Sequence, residues 1–429
     1  MPVTGFDSIE HASLSDVGVR RSHNQDNHAV SLAGDEDQWR TRGHVFLVAD
    51  GMGAHAVGEL ASELAVGIIP HTYAKHIQDG PASALRKAFV EANASIHARG
   101  QQNREFAGMG TTTTALLLRP EGAWVGHVGD SRAYRVRKGK IEQLSFDHSL
   151  VWEFARRQRV DPDGVQGIPS NVIIRSLGPE PLVQVDVEGP HPVQDGDIFI
   201  LCSDGLSGQV TDHELGAIVS TLPPGEACQF LVDLANLRGG PDNITVLIIH
   251  VGSGGAGPVH RPTFIERVPW SLVGLWLSTL IAALALVLTY YDIPGGGYLF
   301  LLATGVVAAA LVGLIVHLQR EKQKRAKDID YPPPQIYRSS SCLIERPLLD
   351  KLIKAAHSVK EHAVEKQWDV DWDGFHQQQD FAQDLLNQAD PTGAFREYCR
   401  AMRVLLEALH RQRNKEEIFQ PVWDKNALS

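Results

Sequence analysis

Residues 45–53 read VFLVADGMG: a buried strand that delivers Asp50 to its edge, then Gly51, where the missing side chain lets the backbone turn tightly and present its own carbonyl. Residues 198–205, IFILCSDG, repeat the form with Asp204. Two more carboxylates border apolar runs, Asp130 after AWVGHV (123–128) and Asp242 before ITVLIIHV (244–251). One Asp-Gly alone is ordinary turn chemistry. Four strand-end Asp residues are a supply of hard oxygen donors, suited to Mg²⁺ or Mn²⁺, which take a few carboxylates and keep several waters. In one cleft they would repel one another unless cations neutralised them.

Outward from these runs, HVFLV (44–48) and ALLL (115–118) also read as strands, and residues 59–73, 81–101 and 212–220 have helical spacing. Strands and helices mix without strict βαβ alternation, an α+β pattern. Across 429 residues, 43% hydrophobic and 21% charged residues lie near globular averages, which excludes wholesale disorder, collagen-like repetition and uniform coiled coil. Cys202, Cys228, Cys342 and Cys399 form no C-x-x-C pair, which fits neither a zinc site nor a disulfide framework and points to a reducing compartment. The net charge is −11, and its whole acidic excess, 32 Asp+Glu against 21 Lys+Arg, falls in residues 1–266, which disfavours nucleic-acid binding there. No H-x-x-x-H stands beside a Glu on a clear helix, and Ser203 lacks the G-x-S-x-G elbow of a serine nucleophile.

The expected organisation is a first domain over 1–251, a Gly-rich linker over 252–267, two transmembrane helices over 268–291 and 298–318 joined by a short external turn (292–297), a basic and Pro-rich linker over 319–334, and a helical region over 335–429. Both apolar runs are uncharged and long enough for a hydrocarbon core of about 30 Å. Trp270, Tyr290, Tyr291 and Tyr298 lie at their ends, and the turn DIPGGG has no Lys or Arg, whereas QREKQKRAK (319–327) has five. The first twenty residues hold no apolar run of a signal peptide, so the amino terminus is expected to start in the cytosol. The positive-inside rule then gives a membrane protein with both termini cytoplasmic. In the tail, residues 381–388 and 394–413 read as a helical hairpin, either a tetratricopeptide-type unit or a plain bundle.

Seven motifs, in order, carry a resemblance: SDVGVRRSHNQD (15–26), VADGMGAHAVGE (48–59), GMGTTTT (108–114), VGDSR (128–132), IIRSLG (173–178), LCSDGL (201–206) and DNIT (242–245). The series resembles the metal-dependent PPM/PP2C serine/threonine protein phosphatases in their bacterial form. It implies an α-β-β-α sandwich over the first domain and hydrolysis of phosphoserine and phosphothreonine on proteins by in-line attack of a hydroxide shared by two Mn²⁺ or Mg²⁺ ions, with a weaker third site. Position by position, Asp50 would bridge the two metals, the Gly51 carbonyl would join the second, and Asp204 and Asp242 would hold the first. Asp26 would orient metal-bound water, and Asp130 with Asp204 would form the third site. Arg21, with Arg20 as the nearby alternative, would grip the substrate phosphate. The implied partners are phosphorylated proteins, a serine/threonine kinase or its substrates among them, and no nucleic acid.

The pattern is departed from twice. Gln25 stands where the family usually has Glu, removing a charge near the second metal, and Met52 stands where eukaryotic relatives carry a His thought to act as general acid. Those departures leave a second reading, a catalytically weak sensor or membrane scaffold that binds phosphoproteins. His55 reads as a surface or capping residue. Residues 150–171, with Arg156, Arg157 and Arg159, read either as the family's variable flap or as an ordinary solvated helix.

Overall fold

The computed structural model describes residues 9–53, 56–169, 171–252 and 334–418, with scattered residues between 281 and 312. Its strands follow the apolar runs. They are β1 (Ile9–Asp16), β2 (Asp26–Ser31), β3 (His44–Met52), β4 (Gly110–Thr111), β5 (Thr113–Arg119) and β6 (Gly122–Val128). Then come β7 (Arg132–Arg137), β8 (Lys140–Gln143), β9 (Asp186–His191), β10 (Ile198–Cys202), β11 (Ile244–Val251) and β12 (Arg338–Ser341). The helices are α1 (Glu36–Thr41), α2 (Ala56–Lys75), α3 (Pro81–Gln102), α4 (Leu150–Gln158) and α5 (Asp204–Ser207). They continue with α6 (Asp212–Thr221), α7 (Pro224–Leu237), α8 (Arg346–Glu365), α9 (Trp372–Asn387) and α10 (Pro391–Ile418).

Two antiparallel sheets result, one in the order β1-β11-β10-β7-β8-β12 and the other β2-β3-β5-β6-β9, with the short β4 also paired to β3. Because successive side chains on a strand point to opposite faces, each buried strand serves two cores. Phe199 and Leu201 of β10, with Leu247 and Ile249 of β11, pack between the sheets against Phe46, Val48, Leu116 and Leu118. Their neighbours Ile200, Cys202, Val246 and Ile248 face the helical layer of α6 and α7. On the far side α2 and α3 cover the second sheet. The expected α-β-β-α sandwich is therefore present.

The tail expected as a helical region over 335–429 carries α8–α10 and packs on the first domain. Residues 333–429 fall in one compact unit with residues 1–255. The reason is an apolar stripe: Leu348, Leu349 and Leu352 of α8, with Phe395, Met402 and Leu405 of α10, share a core with Phe230, Leu231 and Leu234 of α7. Ion pairs edge the contact, Arg400 reaching Glu226 at 3.0 Å and Lys351 reaching Glu214 at 2.7 Å. β12 adds a strand to the first sheet, Arg338 lying opposite Gln143. The expected α9–α10 hairpin is present, and with α8 it forms a small helical bundle against α6 and α7. All four cysteines are free and buried.

Residues 256–332 form the second unit. The runs 268–291 and 298–318 lie mostly outside the described residues, and among the described residues no helix is long and apolar enough to cross a membrane.

Leu349, fully buried in the shared core, tests whether the tail folds with the domain. Leu349→Ala is expected to cost about 2–5 kcal/mol and to shift one cooperative denaturant transition. A separate early transition of the tail, with the main one unmoved, would contradict the shared core.

Candidate active site

Strand ends from both sheets place the acidic residues. β3 carries Asp50, and antiparallel register sets Asp26 of β2 directly opposite it. Asp130 follows β6, Asp204 opens α5 immediately after β10, and Asp242 precedes β11. Close backbone approach makes the two glycines necessary. A Cβ on Gly51 would lie 2.1 Å from the Gly58 carbonyl oxygen, and one on Gly205 would lie 1.9 Å from the Asn243 oxygen. Neither position admits a side chain.

The carboxylates are close enough to perturb one another. Burial pushes Asp26 up to about 7, with Asp204 and Asp242 adding to the rise against the lowering effect of Ser203 and Thr245. Asp130 is raised to about 8 by burial and then by Asp204. Asp50 is raised well above the carboxylate range by burial and then by Asp26, Asp204, Asp130 and Asp242. Asp204 is also raised, by burial and then by Asp242, while a hydrogen bond with Asp50 offsets part of that. The five predicted carboxylates thus lie within electrostatic range of one another. Arg21 reaches them from the rim, its guanidinium donating to Asp242 Oδ2 at 2.7 Å.

One oxygen each of Asp26, Asp130 and Asp204 is buried without a hydrogen-bond partner. A buried, unpaired carboxylate oxygen costs free energy that a cation would recover. Among the described residues, no group of three or more His, Cys, Asp or Glu side chains is drawn in closely enough to hold a metal as it stands. The cluster is open, and its all-oxygen donors and orphaned atoms fit hard divalent cations. Asp50, Asp204, Asp242, Asp26 and Asp130 are the side chains that would hold them, with the Gly51 carbonyl.

Several supporting residues escaped sequence reasoning. Ser203 is no nucleophile: its hydroxyl donates to Asp26 Oδ2 at 2.7 Å and accepts from the Thr245 amide at 2.9 Å. Thr111 Oγ1 donates to the Asp50 carbonyl at 2.8 Å, and Thr114 Oγ1 donates to the Ser131 carbonyl at 2.8 Å, so the buried threonine run tethers β3 and the Asp130 loop. Asn243 accepts from the Gln25 amide at 2.8 Å and donates to the Val17 and His23 carbonyls. His148 accepts from the Gly129 amide at 3.0 Å, which burial favours by holding the imidazole neutral. Arg175 of the IIRSLG motif stays outside the cluster, paired with Asp186 at 2.9 Å. Gln25 donates to the Gly53 carbonyl at 3.3 Å. His55 lies outside the described residues.

Residues 19–229 match the family described as protein phosphatase 2C. The serine/threonine phosphatase stp of Listeria monocytogenes is 35% identical over 246 residues, 56% of this chain and 95% of that protein. The chain belongs to the protein phosphatase 2C family, in its bacterial form. Among solved structures, the S. agalactiae serine/threonine phosphatase matches this PP2C domain with a TM-score of 0.50 and 31% identity, covering 57% of this chain and 99% of that one. The catalytic domain of the phosphatase PstP, in complex with two manganese ions, matches with a TM-score of 0.48 and 30% identity, covering 57% and 98%. PP2C phosphatases use two Mn²⁺ or Mg²⁺ ions. The α8–α10 bundle lies beyond the family match.

The raised carboxylates give a sign to the pH dependence. Asp26 and Asp130 hold protons in the metal-free fold that the unfolded chain, with carboxyls near 3.8, has already lost. Metal-free stability therefore falls as pH rises from about 4 towards 8. Mn²⁺ at one fixed concentration, a hundred times its Kd at pH 8, is expected to restore about 2.7 kcal/mol per site there, with a larger rise in Tm at pH 8 than at pH 6. A Tm gain that is equal or smaller at pH 8, in calorimetric scans, would contradict the cluster.

Proposed function

We propose that this PP2C phosphatase hydrolyses phosphoserine and phosphothreonine monoesters on proteins, and that the convergence of five carboxylates with Arg21 at their rim is the observation that carries the reading. When bound, two divalent cations supply charge neutralisation at the phosphoryl group and activation of the attacking water. The chain's own residues do the rest. Arg21 is half-exposed and its fork is free to leave Asp242 for a phosphate, which it can grip with two parallel hydrogen bonds. Ser203 fixes the Asp26 carboxylate, and the threonine run fixes the height of Asp50, so the donors are held in place before substrate arrives. Met52 cannot pass a proton to the leaving oxygen, which leaves that proton to solvent.

The same observations support two Mn²⁺ or Mg²⁺ ions at Asp50, Gly51, Asp204 and Asp242, with Asp26 alongside. A looser third ion would sit at Asp130 and Asp204. Gln25 and Met52 motivate the rival reading, a catalytically weak sensor. Manganese-dependent phosphate release from a phosphothreonine peptide separates the two. Asp50→Asn is expected to lower kcat/KM about 100-fold or more, and Arg21→Ala to raise KM about tenfold. Absent turnover in the metal-loaded wild type, with phosphopeptide binding retained, would favour the sensor.

We further propose that residues 268–318 cross a bilayer as a hairpin, with both termini cytoplasmic and with phosphoproteins at the membrane, a kinase or its substrates among them, as targets. The composition of the two runs and the five basic residues after them support this. An even number of crossings also lets residues on either side of the hairpin share one compact unit. Replacing residues 268–318 by a flexible Gly/Ser linker is expected to move the protein from an alkali-resistant membrane fraction to the supernatant. Recovery of the intact chain in the supernatant would refute the anchor.

A further inference from the structure

β12 does more than lengthen a sheet. Tyr337 donates its backbone amide to the Gln143 carbonyl at 3.0 Å, and Gln143 in turn donates its side-chain amide to Asp147 at 2.7 Å. The Tyr337 hydroxyl donates to Glu188, and its ring meets Phe146 at 5.5 Å. One residue on, Arg338 pairs with Asp163, in the segment after α4, and lies 3.9 Å from Asp212. Its guanidinium also sits 5.9 Å from the ring of Trp152 on α4.

Trp152 has a second cation. Arg132 lies 5.7 Å from the same ring and is tied to Asp147 at 2.8 Å. Arg132 stands two residues from Asp130. Each guanidinium carries its own carboxylate partner, which lets two like charges share one indole. A continuous set of contacts thus runs from the tail through α4 to the loop that bears Asp130. The tail end of this set lies beyond the family match, which ends at residue 229.

We propose that residues 150–169 act as the flap of the phosphatase site and that Arg338 is their positioning residue: from β12 it pins them through Asp163 and Trp152. Residues outside the PP2C domain thereby set how well a protein substrate is held.

This rests on the phosphatase reading, so the test pairs a kinetic readout with one that needs no turnover. In the full-length protein, Arg338→Ala is expected to raise KM for a phosphothreonine peptide about fivefold with little change in kcat, while p-nitrophenyl phosphate, too small to meet the flap, is unaffected. Amide hydrogen exchange across residues 150–164 is expected to quicken about tenfold, with α9 and α10 unchanged. Asp163→Asn, at an exposed carboxylate, should move both readouts the same way by less, and it decides the matter if Arg338→Ala does not fold. Arg338→Lys keeps a charge for Asp163 but not the flat face for Trp152, and should restore part of the KM. Unchanged KM and unchanged exchange in 150–164 would overturn the proposal, as would faster exchange spread evenly over α8–α10. A wild type without turnover would remove the phosphatase reading but leave the exchange result standing.

Discussion

Burial of carboxylates that also repel one another is the constraint on which the rest of this molecule depends. Five aspartates from both sheets share one end of the sandwich, and three present buried oxygens with no protein partner. No arrangement of that kind is favourable in itself. Two well-filled apolar layers hold the strand ends in place, and divalent cations that bind the folded chain and not the unfolded one would offset the cost. Fold stability and catalytic competence are opposed locally, and a bound metal would reconcile them.

That opposition explains the density of hydrogen bonds just behind the cluster. Ser203, Asn243 and the threonine run touch no reacting atom, yet each fixes an aspartate or the backbone that carries it. The tail extends the same principle outward. α8 and α10 cover the outer helices of the first sheet, and β12 closes on α4 with Tyr337 and Arg338. Arg338 therefore belongs to the same supporting framework although it is far from the domain in sequence.

How much was legible follows from range. Asp50, Asp204, Asp242 and Asp130 could be found because each borders a run of apolar residues, and Asp26 and Arg21 because their motif resembled a family pattern. The central strands β3, β6, β10 and β11 were evident for the same reason. Ser203 was set aside as a nucleophile for want of a G-x-S-x-G elbow, and its supporting role was hidden because its partners, Asp26 and Thr245, lie 177 and 42 residues away, where no local spacing records such a bond. β12 was hidden because RSSS has no apolar alternation; its pairing with β8 comes from backbone groups that any sequence possesses. The tail's union with the domain was missed because the apolar stripe of α8 meets a partner face on α7 that looks self-sufficient when read alone.

The most direct test is calorimetric titration of Mn²⁺ into metal-free protein at pH 7 in buffers of differing ionisation enthalpy. Since burial raises the Asp26 and Asp130 carboxyls to about 7 and about 8, metal binding should release protons to the buffer. Asp50→Asn should weaken the tighter sites. Binding without proton release, or with affinity untouched by Asp50→Asn, would contradict the claim that these carboxylates form one cation-holding cluster.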